Sequence, residues 1–134
     1  RSPANAAFNP ANGTITWRPT IAQAGQSYPI VTKVTDNGTN FLSATNTNTI
    51  SVAAVQTPTV SMSWSNPTVG SNATPQVQLS VQGQTGPDYI LMASTNLTNW
   101  TSISTNTPGT FPFVWTDTNA SQFPRRFYQI RLGP

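Results

Sequence analysis

The chain has 134 residues, of which 36% are hydrophobic and only 7% charged, and its net charge is +3 at pH 7. It contains no histidine, cysteine or glutamate, and its only carboxylic side chains are Asp36, Asp88 and Asp117. Acid–base and nucleophilic catalysis usually need a histidine or a carboxylate with a shifted pKa, so the composition argues against an enzyme. The basic character reflects a scarcity of acids rather than a dense basic patch, so nucleic acid is not an expected partner.

Threonine, serine and asparagine together account for 48 residues, a polar but uncharged composition typical of extracellular β proteins. No apolar run approaches the ~18 residues of a membrane-spanning helix, so no membrane partner is expected. The absence of cysteine fits a bacterial secreted protein as well as a cytosolic one. No signal peptide is present, and we expect an internal or C-terminal part of a secreted parent protein.

Twelve prolines and eight glycines interrupt the chain at short intervals, and no segment has the apolar spacing of a helix. Short runs rich in Thr, Val, Ile and aromatic residues recur between turn residues. This pattern predicts an all-β, antiparallel β-sandwich with about nine strands and no significant helix. The expected strands cover residues 14–18, 28–35, 45–54, 59–64, 76–82, 89–94, 100–104, 111–116 and 127–132.

A domain boundary is expected at residues 55–58, where one apolar strand stops and Pro58 fixes the chain before the next strand. This divides the chain into a first segment, residues 1–56, and a second module, residues 57–134. One continuous sandwich over residues 1–134 is the alternative organisation.

Residues 8–52 combine an NPANG turn, the strand end TWRP, the connector AQAG and the strand end VTDNG. This combination resembles the C-terminal part of a cadherin-like or immunoglobulin-like domain of the kind common in bacterial surface and secreted proteins. Only seven residues precede Phe8, whereas such a domain has several further strands there. A partial sandwich leaves an open apolar face, so the segment must pack on the second half, exchange strands with another copy or be a remnant.

The second module resembles the β repeats at the C-terminus of bacterial secreted proteins. The matching residues are Gly86, Tyr89, Ile90, Ser94, Thr95, Leu97, Trp100, Asp117, Arg126, Phe127, Tyr128 and Ile130. The resemblance implies an immunoglobulin-like or jelly-roll-like extracellular appendage, attached to a carbohydrate-active or surface domain in the parent chain. It implies no catalysis.

Four tryptophans are the most informative side chains, because sugars stack their C–H faces on exposed aromatic rings and small cores also bury such rings. Trp17 is expected in the core, because Ile15 lies on the same strand face. Trp64, Trp100 and Trp115 are candidate carbohydrate-binding residues. Because Trp64 shares its strand face with Val60 and Met62, the core is the favoured position for it, with partial exposure at the strand end as the alternative. Trp115 lies on a strand whose two faces are both largely apolar, so burial and an exposed binding face are both open.

Three further residues complete the predicted carbohydrate site: Tyr89, Gln78 and Asn99. Side-chain amides can make directional hydrogen bonds to sugar hydroxyls. Gln78 belongs to a row of polar residues on one face of its strand, which would line a glycan groove or form an ordinary solvated face.

Asp36 and Asp117 lie in the oxygen-rich loops TDNG and TDTN. Calcium prefers six to eight oxygen ligands, so either loop is a possible calcium site, and capping of an Asx turn is the alternative. No other cofactor is expected.

These observations favour a secreted, non-catalytic carbohydrate-binding module that binds a plant-type polysaccharide such as β-glucan or xylan. A structural or adhesive immunoglobulin-like spacer without a ligand is the alternative. A glycosidase would have to rely on Asp88 and Asp117, both at turn positions.

Overall fold

The structure, a computed structural model, describes residues 2–65 and 75–133. It confirms the predicted all-β fold: no α-helix occurs in this part of the chain, and each of the nine predicted segments corresponds to a strand. A short first strand is additional. The ten strands are β1 (Ala7–Asn9), β2 (Thr14–Thr16), β3 (Ser27–Thr35), β4 (Ser43–Ser51), β5 (Thr59–Ser65), β6 (Gln76–Gln82), β7 (Asp88–Ser94), β8 (Thr101–Asn106), β9 (Phe113–Asp117) and β10 (Phe127–Gly133).

The chain divides into two compact units between Val55 and Gln56. Unit 1 contains β1 to β4, and unit 2 contains β5 to β10. Each unit is built from two antiparallel sheets.

Unit 1 consists of two hairpins, β1–β2 and β3–β4. Asn9 and Gly13 form the first turn: the Gly13 amide donates to the Asn9 carbonyl at 2.9 Å, and Gly13 has a φ of +72°, which glycine adopts without strain. The Trp17 ring packs edge-on against Tyr28 with centroids 5.2 Å apart. Its indole nitrogen donates to the Asn5 side chain at 3.2 Å, and the side chain is half-buried and lies outside the buried core in which it was expected.

The apolar side chains of unit 1 are mostly exposed. Ile30 is buried, whereas Phe8, Val34, Phe41 and Leu42 all expose most of their surface. These side chains lie on β1, on β3 and in the loop between β3 and β4, and the partial immunoglobulin-like sandwich stays a prediction.

Unit 2 is a sandwich of two three-stranded sheets, ordered β5-β6-β9 and β10-β7-β8. In β6 the side chains of Val77, Leu79 and Val81 are buried, while the alternate residues lie on the outer face. This alternation is the two-residue period of a half-buried strand.

The core of unit 2 takes side chains from both sheets. Its buried members and the partly buried side chains packed against them are Val77, Leu79, Leu91, Ala120, Ile103, Trp115, Tyr128 and Ile130. Tyr89 closes one end of the core, where it contacts the rings of Phe111 and Phe113 at centroid distances of 5.3 and 5.5 Å.

The Tyr89 hydroxyl fixes the turn between β6 and β7. It donates to the Gln84 carbonyl and accepts from the Gln84 amide, both at 2.9 Å. A Cβ atom on Gly83 would overlap this hydroxyl, so the turn requires glycine at that position.

Candidate functional site

The loop that follows β7 is held in place by its own polar groups. The Ser94 hydroxyl accepts hydrogen bonds from the backbone amides of Asn96 and Leu97, and the Asn96 side chain accepts one from the amide of Asn99 at 2.9 Å. The indole of Trp100 donates to the Leu97 carbonyl at 3.1 Å and closes the loop. The sequence STNLTNW therefore encodes a rigid loop, which presents the Asn99 side chain to solvent.

A buried ion pair lies under this end of unit 2. The Nε atom of Arg126 is 3.0 Å from Oδ2 of Asp117, and the two side chains are only 13% and 4% exposed. The Tyr128 hydroxyl donates to the same carboxylate oxygen at 2.9 Å, and the Asn119 amide donates to the other. All these donors together satisfy a charge that would otherwise be costly to bury.

The environment of Tyr128 raises its pKa well above the usual value. Burial contributes most, followed by the hydrogen bond to Asp117 and that carboxylate's negative charge, while Arg126 acts in the opposite direction. Tyr128 therefore keeps its proton and remains a donor to Asp117 over the physiological pH range.

A pocket of about 330 Å³ opens where β7 ends and β8 and β10 begin. Its lining combines apolar and polar side chains with one aromatic ring and one guanidinium group. The lining residues are Ala93, Ser94, Thr95, Asn96, Asn99, Thr101, Ile103, Phe123 and Arg126. The volume lies at the lower end of the ~300–1,000 Å³ common for small-ligand sites.

Arg126 is shared between the ion pair and the pocket. Its guanidinium carbon lies 4.1 Å from the centroid of the Phe123 ring, an arrangement that favours the cation and fixes the plane of the guanidinium group. Its Nη1 atom is buried and has no hydrogen-bond acceptor among the described residues. The pocket wall therefore contains an arginine whose plane is fixed, while its unpaired Nη1 atom lies inside the protein.

Of the predicted carbohydrate-binding residues, the structure places only Asn99 in this pocket. Tyr89 is 1% exposed and bonded to Gln84, so the prediction that it contacts a ligand at the surface is wrong. Trp115 lies on the inner face of β9, opposite Leu79, and packs against the core. Of the two positions left open for its ring, burial and an exposed binding face, the structure has the first.

The other three predicted residues lie apart from the pocket lining. Trp100 is half-buried and closes the loop. Gln78 is half-buried on the outer face of the sheet, between its cross-strand neighbours Ser63 and Thr116. Trp64 is 66% exposed on the edge strand β5, so the prediction that it lies in the core is wrong.

Trp64 belongs to an apolar strip along β5. Val60, Met62 and Trp64 alternate along this strand and are 43%, 60% and 66% exposed. Their neighbours on β6 are the buried core residues of the same sheet face. The strip therefore extends this apolar face from the buried strand β6 to the exposed edge strand β5. Exposed apolar surface of this kind marks an interaction site in many proteins.

The two aspartates proposed for calcium have different environments. Both oxygens of Asp117 are occupied by protein donors, so the structure gives this residue a structural partner in Arg126 instead of a metal-binding position. Asp36 accepts the Gly38 amide at 3.2 Å, which is the Asx turn given as the alternative. No group of three or more acidic, histidine or cysteine side chains that would hold a metal occurs in residues 2–65 and 75–133.

Phe123 and Arg126 were not predicted as site residues. Arg126 was noted as a residue matching the repeat pattern, but nothing in the local sequence shows that it stacks on Phe123 three positions earlier. An arginine amid apolar and aromatic residues in a chain with three aspartates is the signal that points to a buried ion pair.

Comparison of the chain with protein-family models, curated proteins and solved structures gave no match. Within the described residues, no helix has the length and apolar character needed to cross a membrane.

Proposed function

We propose that the chain is a non-catalytic carbohydrate-binding module of a secreted bacterial protein and that the pocket beside Asn99 holds the sugar. The observation that carries the proposal is that one pocket is lined by side-chain amides, threonine residues, an aromatic ring, a guanidinium group and apolar side chains. A sugar ring offers apolar C–H faces together with directional hydroxyl groups, and this lining matches both. The polysaccharides to test are β-glucan and xylan, and the parent chain supplies the catalytic or surface domain.

The fixed loop supports this proposal on energetic grounds. Ser94 and Asn96 already hold the loop backbone in one conformation. When a ligand binds, only the Asn99 side chain itself has to be ordered. Preorganisation of this kind reduces the entropic cost of association. No step requires a titratable catalyst or a bound cofactor.

The test is a titration of the full chain with soluble β-glucan and xylan oligosaccharides, followed by calorimetry. The Asn99→Ala variant should bind at least fivefold more weakly, because it removes the exposed amide and leaves the loop's backbone bonds in place. Asn48→Ala is the matched control, an exposed asparagine on β4 of unit 1, and should bind like the original chain. Equal binding by all three proteins would place the sugar elsewhere, and no binding over a broad panel would reject the proposal.

A structural or adhesive module is the second candidate, favoured by the exposed apolar strip of Val60, Met62 and Trp64. In that case the strip is an attachment surface between copies of this chain, and the pocket has no ligand. Sedimentation velocity over a range of concentrations distinguishes the two candidates. Self-association that Trp64→Ser abolishes, together with a failure to bind any glycan, would favour the adhesive function.

A further inference from the structure

Unit 2 has four sheet edges, because each of its two three-stranded sheets ends in two outer strands. The outer strands are β5 and β9 in one sheet and β10 and β8 in the other. An edge strand carries a row of backbone N–H and C=O groups that its own sheet does not pair, so another chain can pair with it. Proteins usually prevent such pairing with a charge, a proline, a bulge or a very short strand.

Three of the four edges have such a feature. In β8 the register against β7 shifts between Leu91 and Met92, which leaves one extra residue in β8. Strand β10 contains the exposed Arg131. Strand β9 has only five residues and directly follows Pro112. Pairing with another chain is therefore hindered at these three edges.

Strand β5 has none of these features. Its seven residues, TVSMSWS, include no charge and no proline, and its register against β6 is unbroken from Thr59 to Ser65. No charged residue occurs in β6 either, and the one charged side chain of this sheet, Asp117, is buried against Arg126. Two copies of this chain, each with a net charge of +3, therefore meet no local repulsion when two β5 edges approach each other.

The sequence of β5 is complementary to itself in the antiparallel direction. Its apolar residues Val60, Met62 and Trp64 are exposed on one face, and the alternate residues are serines and one threonine. A two-fold axis at Met62 pairs all seven residues: Met62 meets its own counterpart, and Trp64 of each copy lies opposite Val60 of the other. Every apolar side chain then faces an apolar side chain, as a two-fold interface requires.

We propose that β5 binds a second copy of this chain by antiparallel pairing of the two β5 strands, which joins two three-stranded sheets into one of six strands. The apolar strips of the two copies then contact each other across the pair. The inference goes beyond the proposed sugar binding and does not depend on the pocket. One short strand from each copy buries less than the ~1,200–2,000 Å² of a stable interface, so the dimer should be weak and concentration-dependent.

Sedimentation velocity of the full chain over a wide range of concentrations measures the dimer. In the Ser61→Lys, Ser63→Lys variant, like charges lie opposite each other across the pair, because Ser61 of each copy faces Ser63 of the other. Both serines are exposed, so the variant should fold and should dimerise at least about tenfold more weakly. Thr47→Lys, Thr49→Lys is the matched control: it adds the same charge to exposed positions of β4 and should dimerise like the original chain.

Cross-linking tests the register. The chain has no cysteine, so a single introduced thiol forms a disulfide only between copies. Met62→Cys should cross-link under mild oxidation, because directly opposite residues have Cα atoms about 4.5–5.5 Å apart, within the range of a disulfide. Val60→Cys is the control on the same face: in this register it lies about 13 Å along the strands from its counterpart and should cross-link at least tenfold more slowly.

Each contrary outcome overturns the inference and leaves the sugar-binding proposal standing. A chain that stays monomeric up to its solubility limit has no such pairing. Equal weakening by the β4 control would assign the effect to net charge, and equally fast cross-linking of Val60→Cys and Met62→Cys would exclude the proposed register. A monomeric chain that binds a synthetic peptide of alternating Thr and Val would assign the edge to a strand of another protein.

A charge-reversed partner separates lost pairing from lost folding. When the Ser61→Lys, Ser63→Lys variant is mixed with a Ser61→Glu, Ser63→Glu variant, opposite charges face each other across the pair. The mixture should therefore form a heterodimer at least as readily as the original chain forms its dimer. If both variants have the circular dichroism of the original chain and their mixture stays monomeric, the proposed pairing is wrong.

Discussion

Replacing Asp117 with asparagine tests whether the buried ion pair holds unit 2 together. The substitution changes little in shape, but it keeps only one of two acceptor oxygens, whereas the Asn119 amide and the Tyr128 hydroxyl donate at 2.9 Å to different oxygens of the carboxylate. It also removes the negative charge opposite Arg126, 3.0 Å from its Nε atom. The result is an uncompensated cation at a site where the arginine side chain is only 13% exposed.

The expected loss follows from this burial. Breaking a buried ion pair by removing one partner destabilises a protein by about 3–5 kcal/mol. Unit 2 spans Gln56–Gly133, and domains of this size are stable by about 4–12 kcal/mol in total. Asp117→Asn should therefore remove a large fraction of the free energy of unfolding of unit 2. The Asp117→Asn, Arg126→Met double variant should recover part of this loss, because it leaves no charge unpaired.

Urea denaturation of the full chain measures the loss, and hydrogen exchange resolves it by unit. Amides of β6 and β10 should exchange much faster in Asp117→Asn, while those of β3 and β4 in unit 1 serve as an internal control. Asp36→Asn is the matched substitution, since Asp36 is exposed and an asparagine can still accept the Gly38 amide. Surface substitutions usually change the free energy of unfolding by less than about 0.5 kcal/mol. If the free energy of unfolding of Asp117→Asn differs from that of the original chain by no more than this, the argument from burial is refuted.

Three further predictions concern packing and pH. Gly83→Ala should destabilise the chain by about 1–3 kcal/mol, because the added Cβ overlaps the buried tyrosine hydroxyl of β7. Gly109→Ala, where a Cβ meets nothing within 4 Å, should not destabilise it. Equal thermal midpoints for the two variants would contradict this prediction. Because the pKa of Tyr128 is raised by burial and its carboxylate partner, the unfolded chain loses this proton first, so stability should fall as pH rises above about 10. In a pH series of urea denaturation, the midpoint of Tyr128→Phe should fall less steeply at alkaline pH than that of the original chain. An equal slope for the two proteins would contradict this prediction. Met62→Ser, on the exposed strip, should lower the free energy of unfolding in urea by less than about 1 kcal/mol. Leu79→Ala, in the core, should lower it by about 2–5 kcal/mol. A large loss for Met62→Ser would mean that the strip is covered.

The strands were predictable because their signal is local. In β6 the apolar residues Val77, Leu79 and Val81 alternate with polar ones, and the strand is observed at Gln76–Gln82, the predicted bounds. The missed strand β1, Ala7–Asn9, has three residues, too few to show an alternation. Its existence depends on pairing with β2 through the turn at Gly13, and that pairing is a property of the hairpin as a whole.

Which face of a strand turns inward was less predictable. Tyr89 and Trp115 were predicted as ligand-binding residues from their side-chain type, yet both point into the sandwich. Their orientation is set by long-range pairing, since Tyr89 lies opposite Leu132 and Trp115 opposite Leu79. A one-residue change in either register would turn these rings outward, and no local sequence pattern determines the register.

The residues that match the repeat pattern mostly serve the scaffold. Tyr89 fixes a turn, Ser94 and Trp100 hold the loop after β7, and Asp117 and Tyr128 surround the buried arginine. A resemblance carried by such residues therefore predicts the fold better than it predicts a ligand. It is compatible with modules that share this scaffold and bind different molecules or none.

Arg126 and Ser94 serve both the scaffold and the pocket, since both line the pocket while Arg126 pairs with Asp117 and Ser94 holds the loop after β7. The pocket residues beside them, Asn99 and Phe123, lie outside the matched pattern. Substitutions at these two positions leave the ion pair and the loop hydrogen bonds intact, so they can alter the ligand without altering the fold. If the pocket is the functional site, affinity should follow Asn99 and Phe123 while stability follows Asp117, and this separation is what distinguishes a binding module from a spacer.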